Sequence, residues 1–245
     1  MMKFKIFLIN LDDSTDRLSK AKSQFENLSL EFEKISAVMG KALSTEELSK
    51  NYSAELNRKH YFVPLSFGEI GCYMSHLKAC RKLVADDLDY AIILEDDVVL
   101  TEKFKLIPAA LESIKFPWNY IKLISYGKEK RIKTRTHICN STLADASFAF
   151  DLLTWEKPPI GTAAYAITKE GAKEFLAKRS TFFRPIDVDL QYPWETNLNV
   201  TGLSPQCVTL LEDKSTIQQQ KKRKYHYPFA RTFYKIRYAL AKRAN

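Results

Sequence analysis

The run Tyr90-Ala-Ile-Ile-Leu-Glu95-Asp96-Asp97-Val-Val-Leu100 decides how this chain is read. Four apolar residues precede Glu95 without interruption, the pattern of a strand covered on both faces, as in a mostly parallel α/β sheet. In open sheets of that kind, ligands sit in the crevice beyond the carboxyl ends of the strands. The three carboxylates fall there. Like charges so close repel, so the cluster is tolerable in water, beside cations, or around a hard metal ion that takes oxygen ligands. On this strand alone, a metal site and a solvated turn stand side by side.

The flanking sequence supplies the other elements of such a sheet. Lys3–Asn10 alternates Phe4, Ile6 and Leu8 with Lys5, Phe7 and Ile9, which predicts a buried first strand. Asp13 or Ser14 then caps a helix carrying Leu18, Ala21, Phe25 and Leu28 at helical spacing. Phe32–Ser36 reads as a second strand, and Ser44-Thr-Glu-Glu47 has the form of a capping box. Ser66–Leu83 predicts a turn feeding a helix, with Ile70, Met74, Leu77 and Leu83 inward. Tyr120–Ser125 and Ala163–Thr168 are further apolar strands, and Thr168 caps a helix over Lys169–Arg179. Between those strands, the polar stretch Gly127–Lys157 reads as a long surface loop or hairpin insert. Alternating strands and helices predict a doubly wound α/β domain.

Charge divides the chain unevenly. Of 38 Lys and Arg, ten lie between Lys214 and Asn245, where there is no Asp or Glu. The remaining 28 face 29 acidic residues, so the body over 1–213 is near neutral and the tail over 214–245 is basic. That distribution argues against a nucleic-acid groove across the fold. Cys72, Cys80, Cys139 and Cys207 show neither CxxC pairing nor zinc-ligand spacing and read as free thiols in a reducing compartment. The apolar run Ile6–Ile9 is too short for a secretory signal, and no stretch reaches the roughly 20 apolar residues of a spanning helix. The sequons at Asn51, Asn140 and Asn199 accordingly read as chance.

Three segments besides the acidic strand could carry chemistry. Ile9-Asn10-Leu11 with Asp16-Arg17 runs from the first strand into its helix, where an α/β fold grips a nucleotide, yet neither GxGxxG nor a P-loop is present. Ser66-Phe-Gly-Glu69-Ile-Gly71-Cys-Tyr-Met-Ser75-His76 has two glycines that permit close backbone approach to a ligand. Arg184-Pro185-Ile-Asp187-Val-Asp189-Leu190 carries a second carboxylate pair. Each has a bland counterpart: a solvated Arg17, a core histidine at His76, a solvated turn at Asp187 and Asp189.

Taken together and in order, these segments resemble one family. Ile9-Asn10-Leu11 with Arg17, Ile35-Ser-Ala37-Val-Met-Gly40, Gly68-Glu69-Ile-Gly71-Cys72 with Ser75-His76, Leu94-Glu95-Asp96-Asp97, Gly161-Thr-Ala-Ala-Tyr165 and Pro185-x-Asp187-x-x-Leu190 follow the pattern of glycosyltransferase family 25. These are the lipooligosaccharide sugar transferases related to procollagen galactosyltransferases. The resemblance covers roughly residues 3 to 217. It implies a GT-A-type, Rossmann-like domain and inverting transfer of a hexose from a UDP-sugar, galactose first and glucose next, to a lipid-linked oligosaccharide acceptor. It implies Mn²⁺ or Mg²⁺ at Asp97 with Glu95, although Glu95 stands where a strict Asp-x-Asp has aspartate. The donor is then expected against Asn10, Leu11, Arg17, Glu69, Ser75, His76, Glu95 and Asp96. The base is expected at Asp187, ahead of Asp189. A two-carboxylate glycoside hydrolase and a non-catalytic, membrane-associated sugar-binding protein are the rival readings.

In the tail, Lys221-Lys-Arg-Lys224 precedes Phe229, Phe233, Ile236 and Leu240, spaced for one helical face, with Arg231, Lys235, Arg237, Lys242 and Arg243 around them. A basic amphipathic helix of this kind suits an anionic membrane surface, on the cytoplasmic face of the bacterial inner membrane if the acceptor is lipid-linked. Packing of that apolar face on the body, or pairing with a second subunit in a homo-oligomer, is the alternative.

Overall fold

The computed structural model describes residues 2–124, 132–211 and 224–244. The first half of the chain runs β1 (Phe4–Asn10), α1 (Thr15–Asn27), β2 (Glu33–Ser36), α2 (Thr45–Asn51), α3 (Ala54–His60), α4 (Phe67–Ala85), β3 (Tyr90–Glu95), β4 (Val98–Leu100) and α5 (Ile107–Glu112). The second runs β5 (Tyr120–Lys122), β6 (Ile132–Leu143), β7 (Ala146–Trp155), β8 (Ala164–Thr168), α6 (Lys169–Lys178), α7 (Ile186–Asp189), α8 (Pro193–Thr196), β9 (Val200–Ser204), β10 (Val208–Leu210) and α9 (Ala230–Ala244).

Eight strands form one sheet in the order β2-β1-β3-β8-β5-β9-β7-β6. β1 runs parallel to β2 and β3, and β5 parallel to β9, but β8 lies antiparallel between β3 and β5. The sheet is therefore mixed, which corrects the expectation of a mostly parallel one. The apolar run of β8 arises because helices cover both faces, and coverage dictates composition without dictating direction. Period-2 alternation sends Phe7, Ile9, Ala91 and Ile93 into a core beneath α4 and α6, and Ile6, Leu8, Ile92 and Leu94 into a core beneath α1 and α5.

Part of the polar stretch expected as a loop or hairpin lies outside the described residues, and the rest is the β6–β7 hairpin, whose second strand extends the sheet through β9. Ser44 with Glu47 and Ser66 with Glu69 both form reciprocal capping boxes, fixing where α2 and α4 begin. Ser14 stands at the N-cap of α1 without a side-chain cap bond. The segment Val38–Gly40 presses on the first turns of α4: a Cβ on Gly40 would overlap the Phe67 carbonyl, and one on Gly71 the Val38 carbonyl. The close approach expected of Gly71 is thus to the chain's own backbone. All four cysteines are free. Among the described residues, no helix is long and apolar enough to cross a membrane.

Candidate functional site

The ends of β1, β3 and β5 and the start of β8 open on the same edge of the sheet, because β8 runs against its neighbours. That edge gathers Asn10, Glu95, Lys122 and Gly161-Thr162, with α4 supplying Cys72 and His76 and α7 supplying Asp187. Residues far apart in sequence meet there.

Asn10 is buried at the end of β1, and its amide donates to Asp96 Oδ2 at 2.8 Å and to the Ser14 carbonyl at 3.1 Å. Arg17, one turn into α1, donates to Asp96 Oδ1 at 3.0 Å. Both oxygens of Asp96 are thereby used within the protein, and Asp96 orients Asn10 and Arg17. Leu11 is half-buried and turns the chain into α1 through its carbonyl, which accepts from Ser14 N at 3.0 Å.

Glu95 Oε1 accepts from Thr162 Oγ1 at 2.8 Å and lies 3.2 Å from His76 Nε2, while His76 Nδ1 lies 2.9 Å from the Tyr165 hydroxyl. Burial pushes the Glu95 carboxyl up, but the bonds to His76 and Thr162 and the nearby charge of Lys122 outweigh it and hold it below its ordinary value. Asp97 has the opposite balance. Burial, reinforced by the charges of Glu95 and Asp96, pushes it up to about 6. Its Oδ1 is buried with no hydrogen-bond partner among the described residues, and so is Asn10 Oδ1. Buried polar atoms are paired in the great majority of cases, so these two oxygens at neighbouring strand ends have acceptor capacity to offer a ligand or water. An uncompensated carboxylate oxygen among two further carboxylates fits a hard divalent cation.

Lys122, which the sequence reading passed over, ends β5 as a fully buried cation. Its ammonium donates to the Gly161 carbonyl, and the Gly161 amide donates to Asp187 Oδ2 at 3.2 Å. Gly161 spans the two at φ 92°, a conformation that favours glycine. Burial lowers Lys122 to about 8, against the pull of Asp187 and Glu95. Burial also raises Asp187, which the Gly161 amide and Lys122 partly offset. A lysine inside an otherwise apolar run, Tyr120-Ile-Lys-Leu-Ile124, was the available signal.

The remaining expected residues separate. Ser75 Oγ donates to the Gly71 carbonyl at 2.7 Å and accepts from Val38 N at 2.8 Å, so it locks α4 to Val38–Gly40 instead of facing the crevice. Glu69 closes the α4 capping box at the half-buried rim. Asp189 is wholly buried, and Arg179, Arg184 and the Tyr73 hydroxyl supply four hydrogen bonds of 2.7 to 3.1 Å to its two oxygens. Glu195 completes that ion cluster. With every lone pair directed at an internal donor, Asp189 holds α7 and α8 to the body and leaves Asp187 as the carboxylate facing the crevice.

Cys72 Sγ, a His76 nitrogen and a Glu95 oxygen lie within 4.8 Å of one another, a set suited to a borderline ion such as zinc. Burial and the charges of Glu95, Asp187, Glu69 and Asp97 push the Cys72 thiol well up, so the free thiol is the protonated form.

The sequence profile of glycosyltransferase family 25 (LPS biosynthesis protein) matches residues 3–190, a span that includes every residue of this site. The chain is 29% identical over 199 residues to procollagen galactosyltransferase 2 of Mus musculus, covering 76% of this chain and 29% of that protein. It is 28% identical over 204 residues to a glycosyltransferase 25 family member of Drosophila melanogaster, covering 80% and 32%. The chain thus spans about three-tenths of the length of these relatives. A solved glycosyltransferase involved in the glycosylation of the major capsid of PBCV-1 aligns over 70% of this chain and 62% of that one, with a TM-score of 0.33 and 14% identity, a likeness on which no argument rests.

Proposed function

Since the chain belongs to glycosyltransferase family 25, we propose that it moves a hexose, galactose first and glucose next, from a UDP-sugar to a hydroxyl of a lipooligosaccharide-type acceptor, with inversion. Family membership favours transfer over the hydrolytic and non-catalytic readings. The observation that carries the site assignment is the orphaned Asp97 oxygen facing an edge that also presents Asp187, Lys122 and Arg17. A GT-A-type domain is the fold this reading expects.

The geometry supports the following roles. Arg17 and Asn10, oriented by Asp96, lie where the nucleotide end of the donor enters, and Arg17 has further N–H groups for phosphate. Asp97, with Glu95 beside it, would hold Mn²⁺ or Mg²⁺. When bound, such an ion neutralises the charge that builds on a departing diphosphate. Asp187 is the base: as the acceptor oxygen bonds to the anomeric carbon, the bond from that carbon to the UDP oxygen breaks. UDP keeps the electron pair, and the acceptor proton passes to an Asp187 oxygen. The Gly161 amide aims Asp187, and with Lys122 it favours the ionised carboxylate against the burial that raises it. Glu95, gripped by His76 and Thr162, keeps the start of β8 in register with the acidic turn.

The test is a panel of UDP-sugars scored for UDP release with and without EDTA. UDP-galactose is expected to be consumed fastest, with the rate lost to EDTA and restored by Mn²⁺. A panel in which no UDP-sugar is consumed, or a rate indifferent to EDTA, refutes the reading.

A further inference from the structure

Among the described residues, the C-terminal helix α9 is fastened to the body chiefly by one face. Ala230 and Tyr238 are buried. The Tyr234 ring meets Tyr61 and Phe62 at 5.5 and 5.2 Å, and Tyr238 meets Tyr192 and Trp194 at 5.0 and 5.6 Å. The Tyr238 hydroxyl donates to the Gln191 carbonyl at 3.2 Å, and the Lys157 ammonium lies 4.0 Å over its ring. Just upstream, His226 Nε2 lies 2.6 Å from Asn57 Oδ1. These contacts fix the helix in rotation about its own axis.

The opposite face therefore points outward, and it is apolar. Phe233, Ile236 and Leu240 are 51%, 50% and 60% exposed, and Phe229, just ahead of the helix, is 75% exposed. At about 100° per residue the three helical positions fall within roughly 60° of one another. Arg237 and Arg243 border this stripe, and Lys235 and Lys242 lie beyond them, all four exposed. Arg237 donates to the Lys59 carbonyl, which brings the exposed Arg58 and Lys59 of α3 alongside. No acidic residue lies in α9. The packing alternative raised from the sequence fails for this face, because tyrosines on the other side do the packing. The helix also lies beyond the span 3–190 matched to the family.

We infer that the outward face of α9 docks the protein on an anionic lipid membrane. Its phenylalanines, isoleucine and leucine enter the boundary between headgroups and acyl chains, while the bordering Arg237 and Arg243 and the long side chains of Lys235 and Lys242 on the adjoining flank reach the headgroup charge. Charge complementarity selects this occupant. Two copies pairing through the same face would bring Arg237 and Arg243 of both against each other. A nucleic acid would use the charges and leave four large apolar side chains in water. The docking needs no catalysis, so it stands or falls apart from the transfer reaction.

Deleting the helix is a poor test, since that uncovers Tyr61, Tyr192 and Trp194. Point substitutions on the outward face in the full chain are cleaner. The purified protein is cosedimented with phosphatidylcholine vesicles and with vesicles containing about 30% phosphatidylglycerol, at ~20 mM and ~500 mM salt, which spans weak to strong screening. Binding is expected only to the anionic vesicles and to fall at high salt. Phe233→Ser/Ile236→Ser/Leu240→Ser is expected to keep the melting temperature and lose binding more than tenfold. Lys235→Gln/Lys242→Gln/Arg243→Gln is expected to weaken it about a hundredfold, at about fivefold per charge. Wild-type protein that stays in the supernatant with anionic vesicles at low salt overturns the inference. So does vesicle binding that survives the serine substitutions, or self-association without lipid that those substitutions abolish.

Discussion

Replacing Lys122 by Met tests whether a charge has been placed in this site at the expense of stability. The ammonium is completely buried, and burial takes it from 10.5 to about 8, so the fold carries roughly 3 kcal/mol of penalty for the charged form. Below pH 8 folded and unfolded chains both hold the proton, and the penalty is present in full. Between pH 8 and 10.5 the unfolded chain binds more protons than the folded one, so wild-type stability from this group rises with pH. From pH 7.5 to 9.5 that rise integrates to about 2 kcal/mol, or about 4–8 °C in melting temperature for a chain of this size. Methionine has no such titration. It leaves the Gly161 carbonyl without its donor, but that loss is the same at both pH values and cancels from the comparison. Denaturant unfolding of both proteins at pH 7.5 and 9.5 should therefore show the difference between them moving by about 2 kcal/mol in favour of wild type at the higher pH. Turnover by the variant should fall by at least about tenfold, because Asp187 and Glu95 lose a neighbouring cation. A stability difference constant to within about 0.5 kcal/mol across that range would refute the buried-charge argument.

Three further substitutions separate binding, chemistry and structure. Arg17→Ala should weaken UDP binding about tenfold or more by calorimetry, the loss of a charge-assisted contact, and unchanged affinity would leave Arg17 as the ion-pair partner of Asp96 alone. Asp187→Asn should cut turnover by about a hundredfold or more with donor affinity kept, since a base acts only in the chemical step, and collapse of donor binding would move Asp187 to the donor side. Asp189→Asn should instead cost about 3–5 kcal/mol in denaturant unfolding by leaving Arg179 and Arg184 under-compensated, and a variant with wild-type stability but no activity would contradict the assignment of Asp189 to the ion cluster.

The strands β1, β2, β3 and β8 and the capping box of α2 were legible because local periodicity and cap chemistry decide them. The direction of β8 was not, since an apolar strand covered on both faces reads alike in either sense. The acidic triplet singled out this strand end, but it could not say which carboxylate is satisfied internally. That depends on Asn10, Arg17, His76 and Thr162 arriving from other elements. Ser75 and Asp189 looked functional because polar residues inside a motif resemble ligands, and only their saturation by Gly71, Val38, Arg179, Arg184 and Tyr73 gives them other work. Lys122 was overlooked because a lone lysine in a short strand reads as solvated until its neighbours close over it.

UDP release from UDP-galactose in Mn²⁺, by wild type and by Asp97→Asn checked for an unchanged fold by circular dichroism, bears most directly on the site. Asparagine keeps the volume and removes the charge, so it should leave the folded chain intact, since no described partner loses a bond to the orphaned Oδ1, and bring release to the level seen with EDTA. An Asp97→Asn protein that releases UDP at the wild-type rate would contradict the account.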